Sequence, residues 1–101
     1  MTLEHCQVAT WQGQVVGACL VLDPPTAGER AEAWVLEVAV DSQHRRRGLA
    51  RELLARTALA ARGRGTPLLG LYTHSGTGAL GLYESFGMVV RQTLVECTLQ
   101  L

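Results

Sequence analysis

The chain has 101 residues, 48% of them hydrophobic, with nine basic and nine acidic side chains and a formal net charge of zero. This length holds one small domain with one continuous core, and the composition excludes a disordered chain. Charge balance excludes an overall field for DNA, RNA or an anionic membrane, so any anion site must be local.

Gln7 to Trp11 and Val15 to Leu22 are β-prone runs separated by Gln12, Gly13 and Gln14, which predicts a hairpin with a short glycine-containing loop. "DPPTAGER", Asp23 to Arg30, breaks the pattern with two prolines and a glycine and reads as a surface loop. "AEAWVLEVAV", Ala31 to Val40, reads as a strand. Strict alternation would put Trp34, Leu36, Val38 and Val40 on one face and Val35, Glu37 and Ala39 on the other. Glu37 then sits mid-strand, a costly place for a carboxylate.

From Gly48 to Arg62, Leu49, Leu53 or Leu54, Ala58 and Ala61 recur at helical spacing, and Gly63 with Gly65 ends the run. Pro67 opens "PLLGLYT", a short buried strand. The succession of strand, helix and strand predicts a right-handed crossover between two neighbouring parallel strands. "GALGLYESF" up to Gly87 predicts a second, shorter helix, and Val89 to Leu101 is β-prone without a turn residue, as one strand or two. The expected fold is a single α/β domain over residues 1–101. Its sheet is mixed and mostly antiparallel, with a central parallel pair and flanking helices.

Cys6, Cys19 and Cys97 are odd in number and lack CxxC spacing, which argues for thiols in a reducing compartment and against a disulfide framework or a metal site. The N-terminus lacks a basic region followed by an apolar stretch, and no apolar run approaches membrane-spanning length. A cytoplasmic protein without membrane attachment is the expectation.

"SQHRRRGLARELL", Ser42 to Leu54, crowds Arg45, Arg46 and Arg47 against Gly48 where a strand gives way to a helix. Free amides and the positive end of the helix dipole suit a pyrophosphate there, and inward-pointing loop amides form an anion nest. A solvated, charge-rich turn is the competing reading. A nucleic-acid patch is disfavoured, because only Arg51 extends the basic stripe and no aromatic residues interleave with it. All nine basic residues are arginine, which fits bidentate anion recognition or compositional bias equally well. "GTGALG", Gly76 to Gly81, matches the GxGxxG of dinucleotide-binding folds with Glu96 downstream. Gly87 cuts the following helix too short for a βαβ crossover, which argues against a nicotinamide oxidoreductase.

The order of elements and three matched stretches resemble the GNAT superfamily of acyl-CoA-dependent N-acyltransferases. "VLEVAVDSQHRRRGLARELL" is similar to its central motif, an apolar strand followed by Arg or Gln, two variable residues, Gly, one variable residue, and Gly or Ala. Here that run is Arg45, Arg46, Arg47, Gly48, Leu49, Ala50. "ALGLYESFGM", Ala79 to Met88, is similar to the later helix motif usually written AxxLYxxxGF, and "VATWQGQVVGACLVL" to the preceding strand pair.

The resemblance implies that amides from Arg46 to Ala50, Leu49 among them, hold the pyrophosphate of acetyl-CoA, with the guanidinium groups of Arg45, Arg46 and Arg47 at the rim. The open edge of the central strand, around Val38 to Val40, would bond the pantetheine arm and the acyl carbonyl, and this strand would splay from the one at Leu68 to Thr73. Tyr83 matches the tyrosine that protonates the departing thiolate. Glu37 would accept the proton of the amine directly or through a water, with His74 a second candidate base and a structural carboxylate the competing reading of Glu37.

With no cysteine in either motif, the implied activity is direct N-acetyltransfer from acetyl-CoA to an amine acceptor, a small molecule or a protein N-terminus, without a metal. The chain begins at the hairpin, without the first strand and two helices usual in the family, and Gly76 replaces a frequent asparagine. A catalytically reduced CoA-binding or structural partner module is therefore the alternative. An exposed edge left by a short C-terminal region would favour a homodimer.

Overall fold

The computed structural model describes residues 2–73 and 79–91, with the side chains of Ala79 and Leu80 left aside. Strands β1 (Gln7–Trp11) and β2 (Gln14–Leu22) form the predicted antiparallel hairpin, with Trp11 opposite Gln14. Its loop is two residues long. Gln12 and Gly13 take φ of 51° and 80°, and two consecutive positive φ values define the turn whose twist matches that of the flanking strands.

Strand β3 (Glu32–Val40) pairs antiparallel with β2, and β4 (Leu68–Leu71) pairs parallel with β3, giving the order β1-β2-β3-β4. Helix α1 (Leu49–Gly63) makes the crossover between the parallel pair and packs across all four strands. Its buried residues Leu53, Leu54, Thr57 and Ala61 recur at helical spacing and meet Cys19, Val21, Ala33 and Val35 of the sheet. Leu54 and Val21 are fully buried, a contribution of about 1.5–3 kcal/mol each.

The alternation expected for the central strand does not hold. Val21 pairs with Val35, but the next β2 residue, Leu20, pairs with Glu37, so Leu36 is an extra residue in the ladder. This bulge reverses the parity of everything after it. Val38 and Val40 join Val35 on the core face against α1, whereas Glu37 turns to the opposite face with Trp34. Glu37 is exposed there, so the desolvation cost expected of a mid-strand carboxylate does not arise. Leu36 itself is half exposed.

Helix α2 (Ala79–Phe86) lays Tyr83 and Phe86 against the same core cluster as α1, so both helices occupy one face of the sheet. Among the described residues no helix covers the other face, where Val8, Leu20 and Tyr72 are exposed. With eight residues, α2 is too short for a βαβ crossover, and "GTGALG" does not open a dinucleotide-binding unit.

The loop after β2 is tied down by Asp23, a buried carboxylate that accepts hydrogen bonds from His5 Nδ1 at 2.7 Å and an Arg64 guanidinium nitrogen at 2.6 Å. Burial pushes this carboxyl up, but the two hydrogen bonds and the charges behind them outweigh it and hold Asp23 below its ordinary value. Most of the predicted C-terminal β segment lies outside the described residues.

Candidate active site

The segment from Val40 to Arg51 is built by local rules. The Asp41 amide donates to Val16 O at 2.8 Å, fixing the end of β3 on β2, and the Asp41 side chain accepts from the Gln43 amide at 3.1 Å to cap a short 3-10 turn, Ser42–His44. Arg46 then takes φ of 65° and Gly48 φ of 74°. Left-handed residues in a short loop turn neighbouring amides toward one concavity. A Cβ on Gly48 would meet nothing within 4 Å, so the backbone angle, not space, calls for glycine.

Gly48 is also the N-cap of α1 and offers no side chain to the first turn. Among the described residues the amides of Gly48, Leu49, Ala50 and Arg51 have no acceptor. Four unpaired donors at the positive end of a helix are an anion site in waiting. They open on a cleft of about 320 Å³ between Val40, this loop, the first turn of α1 and Leu82 of α2. A wider hollow of about 510 Å³ lies around Ala27, Gly28 and Pro67, at the C-terminal end of α1, where the helix dipole is negative.

The three arginines grouped in the sequence part company in space. Arg45 folds back and donates from Nε to Val40 O at 3.2 Å, bracing the loop against the end of β3. Arg46 lines the cleft with Arg45, whereas Arg47 is exposed and does not line it. Three other residues line the cleft that the motif did not single out: His44, Arg51 and Leu82. Arg51 donates to Ser85 Oγ at 2.8 Å, a link from α1 to α2. Its position one turn beyond Gly48 was visible in the sequence, but its partner on α2 was not.

The cleft leads to the place where the sheet parts. The parallel ladder runs from Glu32 opposite Leu68 to Val35 opposite Leu71 and stops. From Glu37 to Val40, β3 stays paired with β2, while its other edge has no strand partner among the described residues. Val38 and Val40 therefore present side chains to the core and main-chain groups to a gap. The strand expected to reach Thr73 ends at Leu71 because β3 has turned away at its bulge.

Tyr83 is half-buried on the α1 side of that gap, against the cluster containing Cys19, Val35, Leu53 and Leu54. Burial pushes its phenol up, and the nearby Cys19 thiol adds to the rise, so Tyr83 holds its proton throughout the neutral range. Cys19 is fully buried, and its thiol is raised by burial, against an opposing hydrogen bond with Thr57 and with a smaller push from Cys6. It is no candidate nucleophile. Glu37 stands on the other face with no hydrogen-bond or ion-pair partner among the described residues. His74 and Gly76 lie outside those residues. No cluster of metal-ligating side chains occurs among them, and no described helix is long and apolar enough to cross a membrane.

A family model described as an acetyltransferase (GNAT) domain matches residues 2–89. The chain belongs to this family. Solved structures agree on the fold of this GNAT domain. An aminoglycoside acetyltransferase from an uncultured soil metagenomic sample matches with a TM-score of 0.76 and 23% identity over 95% of this chain and 64% of its own. A CoA complex of the aminoglycoside N-acetyltransferase AAC(6')-Iy matches with a TM-score of 0.78 and 14% identity, over 95% of this chain and 75% of its own. A transcriptional regulator from Bacillus halodurans matches at 0.79 with 24% identity, over 93% and 65%. The chain thus spans about two thirds of the length of the first of these, and no curated protein matches it.

Proposed function

We propose that this GNAT domain binds acetyl-CoA and transfers its acetyl group directly to an amine. The observation that carries the reading is the set of four amides from Gly48 to Arg51 that have no acceptor among the described residues, opening on a cleft that ends at the edge of β3 left without a partner among those residues. The amides of Arg46 to Ala50 hold the pyrophosphate, Arg46 adds charge at the rim, and Arg45 keeps the loop on Val40. Acetyl-CoA supplies the activated acyl group as a thioester.

The remaining steps fall to side chains on either side of the gap. Main-chain donors of the Val38–Val40 edge stabilise negative charge developing on the carbonyl oxygen. Glu37, on the open face, takes the proton released as the amine nitrogen bonds to the carbonyl carbon, directly or through a water. Tyr83, on the helix face, gives its proton to the sulfur as the C–S bond breaks. Base and acid thus serve opposite sides of the sheet, the approach of the nucleophile and the exit of the thiolate. A basic small molecule is the acceptor class we favour, as two of the similar structures are aminoglycoside acetyltransferases.

A second reading is a CoA-binding partner module without turnover. It draws on the sheet face left uncovered among the described residues and on the fold's occurrence in a transcriptional regulator. Thermal unfolding decides the cofactor claim, because a ligand that binds the folded state alone raises the melting temperature. Acetyl-CoA should raise it, and no shift at millimolar ligand would sink the proposal. Thiol release against a panel of amines then separates enzyme from module.

A further inference from the structure

We infer that Trp34, Tyr72 and Glu37 form a landing platform for the acceptor on the sheet face opposite α1, and that it selects amines carrying more than one positive charge. The inference rests on the acetyl-transfer reading and adds the chemical class of the acceptor.

The bulge at Leu36 supplies the geometry. It brings Glu37 onto the same face as Trp34, two ladder steps away, or roughly 7 Å at an ordinary strand rise. Trp34 is opposite Gly70, and the missing side chain there leaves room for its indole: a Cβ on Gly70 would come within 2.5 Å of the ring. Tyr72 meets that indole edge-on, with ring centroids 4.8 Å apart and planes at 66°, and is itself 69% exposed. The two rings stand beside the point where β3 and β4 part, since the ladder ends at Val35 and Leu71.

The chemistry of the patch is selective. Aromatic faces attract cations, and a carboxylate binds an ammonium group by a charge-assisted hydrogen bond. Glu32, whose carboxylate borders Gly70 as the indole does, is already engaged by Arg91 through two bonds of 3.1 and 3.2 Å. That leaves Glu37 as the uncompensated charge on this part of the face among the described residues. A ligand with one ammonium on the rings places a second amino group at Glu37, beside the gap where the thioester carbonyl would lie. A monoamine satisfies only one half of the platform.

Tryptophan emission tests this without any cofactor. In a Trp11→Phe chain, Trp34 is the sole indole, and titration with spermidine or neamine should change its emission saturably. Ethanolamine should bind at least about 10-fold more weakly and neutral trehalose not at all. Tyr72→Ala, a change at an exposed position, and Glu37→Gln should each weaken polyamine binding about 3- to 10-fold. The proposal is overturned by no saturable change at millimolar polyamine, by equal binding in both variants, or by an emission shift that follows protein concentration alone, which would mean a second copy covers the face. The acetyl-CoA melting shift is read on the same samples. A shift retained with a silent platform rejects the platform and leaves the cofactor reading standing.

Discussion

The indole of Trp34 occupies the space that a side chain on Gly70 would need, with ring carbons 2.5 and 2.8 Å from where a Cβ would stand. The two residues face each other across the parallel pair. Gly70→Ala therefore forces the ring outward and away from Tyr72. We expect a loss of about 1–3 kcal/mol in urea unfolding. The same variant should show a redder Trp34 emission, since the indole moves toward water. Unchanged stability and emission would mean that the ring relocates freely.

Asp23 ties the N-terminal segment to the end of α1 through His5 and Arg64. Its folded pKa lies below the unfolded one, so the clasp stabilises the fold above about pH 4 and loses that contribution as pH falls through the folded value. Asp23→Asn should cost about 1–3 kcal/mol at neutral pH by leaving Arg64 without its anion. It should also flatten the acid limb of stability below pH 4. Denaturant unfolding at several pH values measures both.

Gly48 combines a left-handed backbone with an open surround. Gly48→Ala should cost about 1 kcal/mol in stability from the backbone alone. The added methyl also enters the proposed phosphate cradle, so CoA affinity should fall further than stability does. Calorimetric titration of the folded variant at low temperature separates the two effects. Full retention of CoA affinity would remove the loop from the binding site.

Tyr83 carries a phenol raised by burial and by the neighbouring Cys19. A raised value keeps the proton in place to higher pH, so any alkaline loss of turnover due to Tyr83 should fall above pH 10. Tyr83→Phe should keep the acetyl-CoA melting shift while lowering kcat about 100-fold or more and abolishing that alkaline limb. Equal turnover in the variant would take Tyr83 out of the reaction.

Much of the fold was legible because its signals are local. The hairpin followed from two β-prone runs around a glycine, and α1 from helical spacing closed by Gly63 and Gly65. The bulge was not legible, because Leu36, Val38 and Val40 are all apolar and fit an unbroken alternation as well as a shifted one. Only the pairing of Leu20 with Glu37 and of Val21 with Val35, made with another strand, reveals the extra residue. The site divided in the same way. Gly48 and the amides after it announce themselves by a glycine at a strand-to-helix junction. Leu82 and the Arg51–Ser85 link arise from the packing of α2 on α1, to which no short motif refers.

The extra residue at Leu36 works on β3 as a frameshift works on a message. Upstream, odd-numbered positions serve the core, as Ala33 and Val35 do; downstream the even-numbered Val38 and Val40 take that duty. Deleting Leu36 would therefore leave the tenants of both faces in place, because Glu37 would then follow Val35 directly in an unbroken alternation. Pairing Leu36 into the ladder would instead drive Glu37 into the apolar interior and deliver Val38 to solvent, so the bulge is as much a part of the proposed chemistry as the identity of the strand's residues.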